Sequence, residues 1–195
     1  MNMKKRVFIF LISVILYGGL EALAQNPSGI PATAELADEN ELMAIYLNTD
    51  REGDDENFEL PQVSVWLLDK QMKQSRRLFR CNPNAEYNLS QTRRIKGEDI
   101  PFIDFVRIWP GTEQPKLVVC GTTPDFHNLS TSIVDVKTGR AIMLACTDGF
   151  VGFDPEEGNL LVASYAYYDE GGRYAVVSAF DENGRHLGSM PIKSR

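Results

Sequence analysis

The chain has 195 residues, 43% of them hydrophobic, and a formal net charge of −7 at pH 7. That length supplies one domain with a sizeable core and is short for two. The acidity disfavours nucleic acid and anionic membrane surfaces as partners, since both would be repelled.

The first 24 residues place Lys4, Lys5 and Arg6 ahead of the apolar run VFIFLISVILYGGL, which ends at Ala22-Leu23-Ala24. That order predicts a secretory signal cleaved between Ala24 and Gln25. The expected product is exported, periplasmic or extracellular, and soluble, with no membrane attachment after cleavage; no cysteine stands at the cleavage site to take a lipid. Residues 25–40 (QNPSGIPATAELADEN) are small, polar and Pro-containing and read as a flexible lead-in. Residues 41–195 read as a single domain.

Within that domain, short runs rich in Val, Ile, Leu, Phe and Tyr are broken by Gly, Pro, Asn and Asp, and no window sustains a helical period. The expectation is all-β. Three segments can be superimposed: ELMAIYLN, QVSVWLLD and SRRLFRCNP; KLVVCGTT, STSIVDV and RAIMLACTDG; NLLVASYAY, RYAVVSAFD and RHLGSMPIK. In each, the middle run ends at or near an aspartate (Asp69, Asp135, Asp181), and Gly139 and Gly184 close two of the turns that follow. Glycine there allows the positive φ that a tight turn requires. The runs IDFVRIWPGTEQP and FVGFDPEEG precede the second and third copies, giving four antiparallel strands per unit.

FDPEEGNLLVAS followed by VVSAFDENGRHLGSM resembles the F-S-P-D-G-x-x-L-x-V-x-S and V-W-D-x-x-T-G-x strands of WD40-like and TolB-like β-propeller repeats, and IVDVKTGRAIML is similar to the second half of that pattern. The likeness covers two units well and residues 42–83 more loosely. It implies a β-propeller-like array of about three four-stranded units, with a β-sandwich or barrel as the alternative. Eleven strands are visible, one short of three full units. The shortfall leaves open a further divergent unit in residues 84–115, an open meander, or a ring completed by a second chain, so a homo-oligomer is among the expected partners.

In such a meander every second connection shares an edge of the sheet. The connections PGTEQP, PEEG, KTG and ENG fall on one edge and are short. NTDREGDDENFELP, TPDFHNLS, YYDEGG and CNPNAEYNLSQTRRIKGED fall on the other. Long loops on a rigid scaffold are the usual place for recognition, so the candidate binding residues are Asp50, Asp54, Asp55, Arg93, Arg94, Phe126, His127, Tyr167, Tyr168 and Asp169. Residues 35–59 hold ten acids and one base, and residues 70–96 hold eight bases and one acid. Two solvated segments and two loops paired across the edge both fit that asymmetry.

Three readings of function follow. One is a secreted non-enzymatic binding or interaction module whose ligand is a glycan, a peptide or a protein. Another is a carboxylate-dependent hydrolase or lyase acting on an extracellular polymer. A third is a structural subunit completed by another chain. His127 and His186 lack partners at metal-ligand spacing, and no nucleophile elbow or phosphate-cradling glycine loop occurs. The acidic run from Asp50 lacks the alternating ligands and placed glycine of an EF-hand, so no cofactor or metal is expected. Cys81, Cys120 and Cys146 are expected to be free and mostly buried, because equivalent strands of separate units stand beyond disulfide reach. Asn88 and Asn128 open formal glycosylation acceptors.

Overall fold

The computed structural model describes residues 29–50, 62–85, 91–122, 129–145, 149–167 and 173–191; for Asp50, Leu129, residues 165–167 and residues 173–175 it describes the main chain only. The chain is all-β. Strands β1 (Glu35–Glu39), β2 (Met43–Asp50), β3 (Gln62–Asp69) and β4 (Gln74–Arg80) form the first antiparallel sheet in that order. β5 (Arg93–Lys96), β6 (Phe105–Ile108), β7 (Lys116–Thr122), β8 (Leu129–Asp135) and β9 (Arg140–Met143) form the second, ordered β5-β9-β8-β7-β6. β10 (Gly149–Phe153), β11 (Leu160–Tyr167), β12 (Arg173–Phe180) and β13 (His186–Pro191) form the third. None of the three sheets closes on itself. Among the described residues the only helical element is a 3-10 turn at Gly97–Asp99, and no helix is long and apolar enough to cross a membrane.

The middle sheet is buried on both faces, which explains why KLVVCGT and STSIVD read as nearly continuous apolar or small runs. Alternate residues point opposite ways along a strand. Leu117, Val119, Val134 and Ala141 therefore meet Met43, Ile45, Val65 and Leu67 of the first sheet. Val118, Cys120, Ile133 and Leu144 meet Leu160, Val162 and Phe180 of the third. The two cores share the middle sheet as a common wall. Polar ties reinforce each junction: the Ile108 N–H donates to Asp38 Oδ2 at 2.8 Å, and Arg76 Nη2 donates to the Val136 carbonyl at 2.7 Å. On the other side, Trp109 Nε1 donates to the Gly158 carbonyl at 2.9 Å, beneath a cluster formed by Trp109, Phe105, Phe150 and Phe153.

Two expectations are corrected. Residues 35–39, read as flexible lead-in, form β1. Its acidic ends hide the strand in the sequence, yet Asp38 is used to accept from β6, and the Ala37 carbonyl accepts from Arg107 Nη1 at 3.1 Å. Arg93 and Arg94, read as part of a loop, lie in β5, which pairs with β9 and leaves the middle sheet with five strands. Four residues carrying three cations give little periodic signal, and this strand gains its place from β9 and from Ile95 packing on the first core.

Residues 29–34 also do more than lead in. They cross the outer face of the first sheet: Gly29 runs so close to Ser75 that an added Cβ would stand 2.9 Å from its Oγ, and the Thr33 hydroxyl donates to Asn48 Oδ1 at 2.6 Å. Ile30 of that crossing is buried, as are Ala44, Asn48 and Ser64 on the sheet. The outer face of the third sheet differs. There Val151 and Met190 are 52% and 73% exposed, and every residue of β13 is exposed.

Candidate functional site

The connections sort onto two edges as the alternation of strands requires. Short turns at Asn40, Asp69, Pro110, Asp135, Asp154 and Asp181 occupy one edge. Each aspartate corner is built alike, because a carboxylate two or three residues ahead of main-chain N–H groups closes the turn by itself. Asp69 Oδ1 accepts from the Gln71 and Met72 N–H groups, Asp135 Oδ1 from the N–H and hydroxyl of Thr138, and Asp181 Oδ1 from the Asn183 and Arg185 N–H groups. Asp154 does the same with Glu156 and Glu157, and those two bonds hold its carboxyl below the usual carboxylate range. These aspartates are committed to the turns rather than presented to a ligand.

A groove of about 480 Å³ opens on this edge between the middle and third sheets. Its floor is Ile133, Ala141 and Ile142, and its rim carries Arg94, Lys96, Lys116 and Arg140. Register builds the rim. Lys96 stands directly opposite Arg140, and Arg94 stands opposite Ile142, so Arg94, Lys96 and Arg140 share one face of the β5–β9 pair. Like charges facing each other across a ladder oppose pairing by roughly 0.2–1 kcal/mol. No carboxylate among the described residues lies within ion-pair distance of Arg94, Lys96 or Arg140.

Lys116 at the groove's inner end is occupied: its Nζ donates to the Glu182 carbonyl at 2.8 Å and lies 3.8 Å from the Glu182 carboxylate. Asp135 lies beside it. Burial pushes the Asp135 carboxyl up, but the Thr138 bonds and the Lys116 charge outweigh burial and leave it lower than usual. The Asp181 turn seals the far end, since a Cβ on Gly184 would stand 2.7 Å from Ile142 Cγ2. With four cations against Asp135 and Glu182, the groove is a cationic recess in an acidic chain.

On the other side of Glu182, a cleft of about 670 Å³ is lined by Glu113, Asp154, Glu156 and Glu157 above Trp109. Asp154 is committed to its turn, Glu157 accepts from Asn159 Nδ2 at 2.8 Å, and the Trp109 N–H is already bonded to Gly158. Among the described residues, no group of three or more His, Cys, Asp or Glu side chains is placed to hold a metal ion. His186 Nε2 stands 2.8 Å from Ser189 Oγ, with its ring against Phe180. Cys81 and Cys120 are free and buried.

Of the candidate binding residues, only Arg93 and Arg94 have described side chains. Arg94 enters the cationic groove, whereas Arg93, one position away, points to the opposite face of β5. Asp50 ends β2 and Tyr167 ends β11, both on the long-loop edge. Asp54, Asp55, Phe126, His127, Tyr168 and Asp169 lie outside the described residues, as do Cys146, Asn88 and Asn128. Arg140 and Lys116 were not anticipated. The alternation of Arg94-Ile95-Lys96 signals a shared face, but no local pattern brings Lys96 to Arg140. Comparison of the chain with known proteins returns no matching family model, curated protein or solved structure.

Proposed function

We propose that the chain is an exported, non-enzymatic binding module whose cationic groove, formed by Arg94, Lys96 and Arg140 beside β5, holds an anionic ligand bearing carboxylate or sulfate groups. One observation carries this reading: the β5–β9 register sets like charges side by side above a recess in which four cations outnumber Asp135 and Glu182, and no described carboxylate lies within ion-pair distance of Arg94, Lys96 or Arg140. A fold that accepts like-charge repulsion without an internal partner leaves charge available to an external one. Arg94 adds a planar fork suited to carboxylate and sulfate oxygens. On this reading the three sheets are blade-like units of a propeller-like array, with β1, β6 and β10 as inner strands. Residues 1–24 are the export signal.

The test is calorimetric titration with dextran sulfate and polygalacturonate, using neutral dextran as control. Both anions are expected to bind and dextran is not. Combined replacement Arg94→Ala, Lys96→Ala and Arg140→Ala is expected to weaken binding at least tenfold, by the loss of about 1.4 kcal/mol or more, and to flatten its salt dependence. Undiminished binding by the triple variant would falsify the assignment.

A further inference from the structure

We infer that β5 receives an extended acidic peptide as a further, antiparallel strand on its unpaired side. The inference rests on the reading of the groove as an anion site and names the class of ligand. β5 is the last strand of the middle sheet, and no described strand pairs with its far side. Edge strands are commonly blunted by bulges that turn them away from a new partner. Ala37 of β1, Leu78 of β4, Val151 of β10 and Leu187 of β13 are each skipped in the pairing register, so those edges are bulged. β6 is regular, but its Ile108 N–H is already taken by Asp38. β5 runs in unbroken register with β9 from Arg93 to Lys96.

The phase of that ladder shows which main-chain groups are on offer. Hydrogen-bonded and non-hydrogen-bonded pairs alternate between antiparallel strands. The Gly97 N–H donates to the Gly139 carbonyl at 2.8 Å, one position beyond the Lys96 and Arg140 pair. Arg93 and Ile95 share that phase and bond to β9, whereas Arg94 directs its N–H and carbonyl to the unpaired side. Lys96 has the phase of Arg94, and its N–H accordingly donates to Asp99 Oδ2 at 3.2 Å instead of to β9. The 3-10 turn thus ends the open edge, and a guest strand is anchored where it exchanges both bonds with Arg94.

Side chains select the guest. Directly opposed residues of neighbouring strands share a face. Guest residues opposite Arg94 and Lys96 stand about 6.8 Å apart on the face that carries Arg94, Lys96 and Arg140. The guest residue between them joins Ile95, which packs on the first core. The sequence that fits is acid, apolar, acid. β5 of a second copy would set cation against cation. A polyanionic glycan would meet the charges, but it has no main-chain N–H to pair with Arg94.

Calorimetric titration with the blocked peptide Thr-Glu-Val-Glu-Thr, alongside dextran sulfate, tests this. The peptide is expected to bind, and Thr-Gln-Val-Gln-Thr at least tenfold more weakly. N-methylation of both glutamates should also cost at least tenfold, because it removes the N–H that faces β5. N-methylation of the valine, whose N–H faces away, should not. Saturating peptide should slow hydrogen exchange of the Arg94 amide, and dextran sulfate should leave it unprotected. A peptide indifferent to glutamate N-methylation, equal binding of the glutamine peptide, or an Arg94 amide unprotected at saturation would each overturn strand addition. Dextran sulfate bound without the peptide would overturn it while leaving the anion site standing, and binding of neither would remove both.

Discussion

Cys120 places its thiol in the core shared by the middle and third sheets, 3.6 Å from the Thr131 hydroxyl. Burial pushes that thiol up from 9.0 to about 11, with the Thr131 contact pulling slightly the other way. Burial also raises Cys81, whose sulfur accepts from the Val63 N–H. A raised thiol favours the protonated form in the folded state, so its contribution is complete below about pH 9. It is lost as the pH climbs toward 11, where the unfolded chain ionises first. Urea midpoints measured between those limits should therefore fall more steeply for the natural chain than for Cys120→Ala, by an amount on the order of 1 kcal/mol. Parallel curves would place the thiol in contact with solvent. Ser132 offers a complementary case. Its hydroxyl is buried on the opposite face of the middle sheet, in the neighbouring strand β8 opposite Val119, with no hydrogen-bond partner. An unsatisfied buried hydroxyl costs free energy that an apolar atom does not, so Ser132→Ala is expected to raise stability by about 1 kcal/mol in chemical denaturation.

At the scale of the element, the repeated Asp corner was legible because it is local chemistry: an aspartate, two or three intervening residues, then a residue at positive φ. Gly139 and Gly184 fill that last place at φ 68° and 74°. The first sheet has Lys73 there, at φ 53°, which is why its turn lacked the glycine signature while keeping Asp69. Left-handed backbone costs a side-chain-bearing residue roughly 1–2 kcal/mol, and glycine's extra unfolded freedom returns part of that. Lys73→Gly should therefore stabilise the protein by about 0.5 kcal/mol in thermal or urea melts, whereas Gly139→Ala should destabilise it. Strands β1 and β5 were not legible for a related reason. ELADE and RRIK carry charge at most positions; β5 pairs with β9 far along the chain, and β1, though it pairs with the adjacent β2, is tied by Asp38 to Ile108, so neither strand is set by its own pattern. The groove inherits the same limit: Arg94 could be singled out as a cation, but its face and its neighbour Arg140 are consequences of register.

At the scale of the whole molecule, burial of the middle sheet on both faces makes the three sheets one cooperative unit. Val134 and Ile133 are adjacent in β8, yet one belongs to the first core and the other to the second. Truncating either to Ala should lower the same single unfolding transition, by about 1–3 kcal/mol for Val134 and about 2–5 kcal/mol for Ile133. The two tryptophans are placed to check this, since Trp66 belongs to β3 and Trp109 to the junction with the third sheet. Transitions followed through each tryptophan alone should coincide; separated midpoints would mean that the sheets unfold independently. The position of β5 adds a constraint of a different kind, on the order in which the molecule can assemble. Arg93 is synthesised well before Met143, its partner in β9. The first sheet can pair as soon as β4 exists, but the outermost strand of the second must wait, exposed and cationic, until the last of its neighbours has been made. An interrupted synthesis that stops after β8 would leave that strand unpaired, and with it the groove unformed.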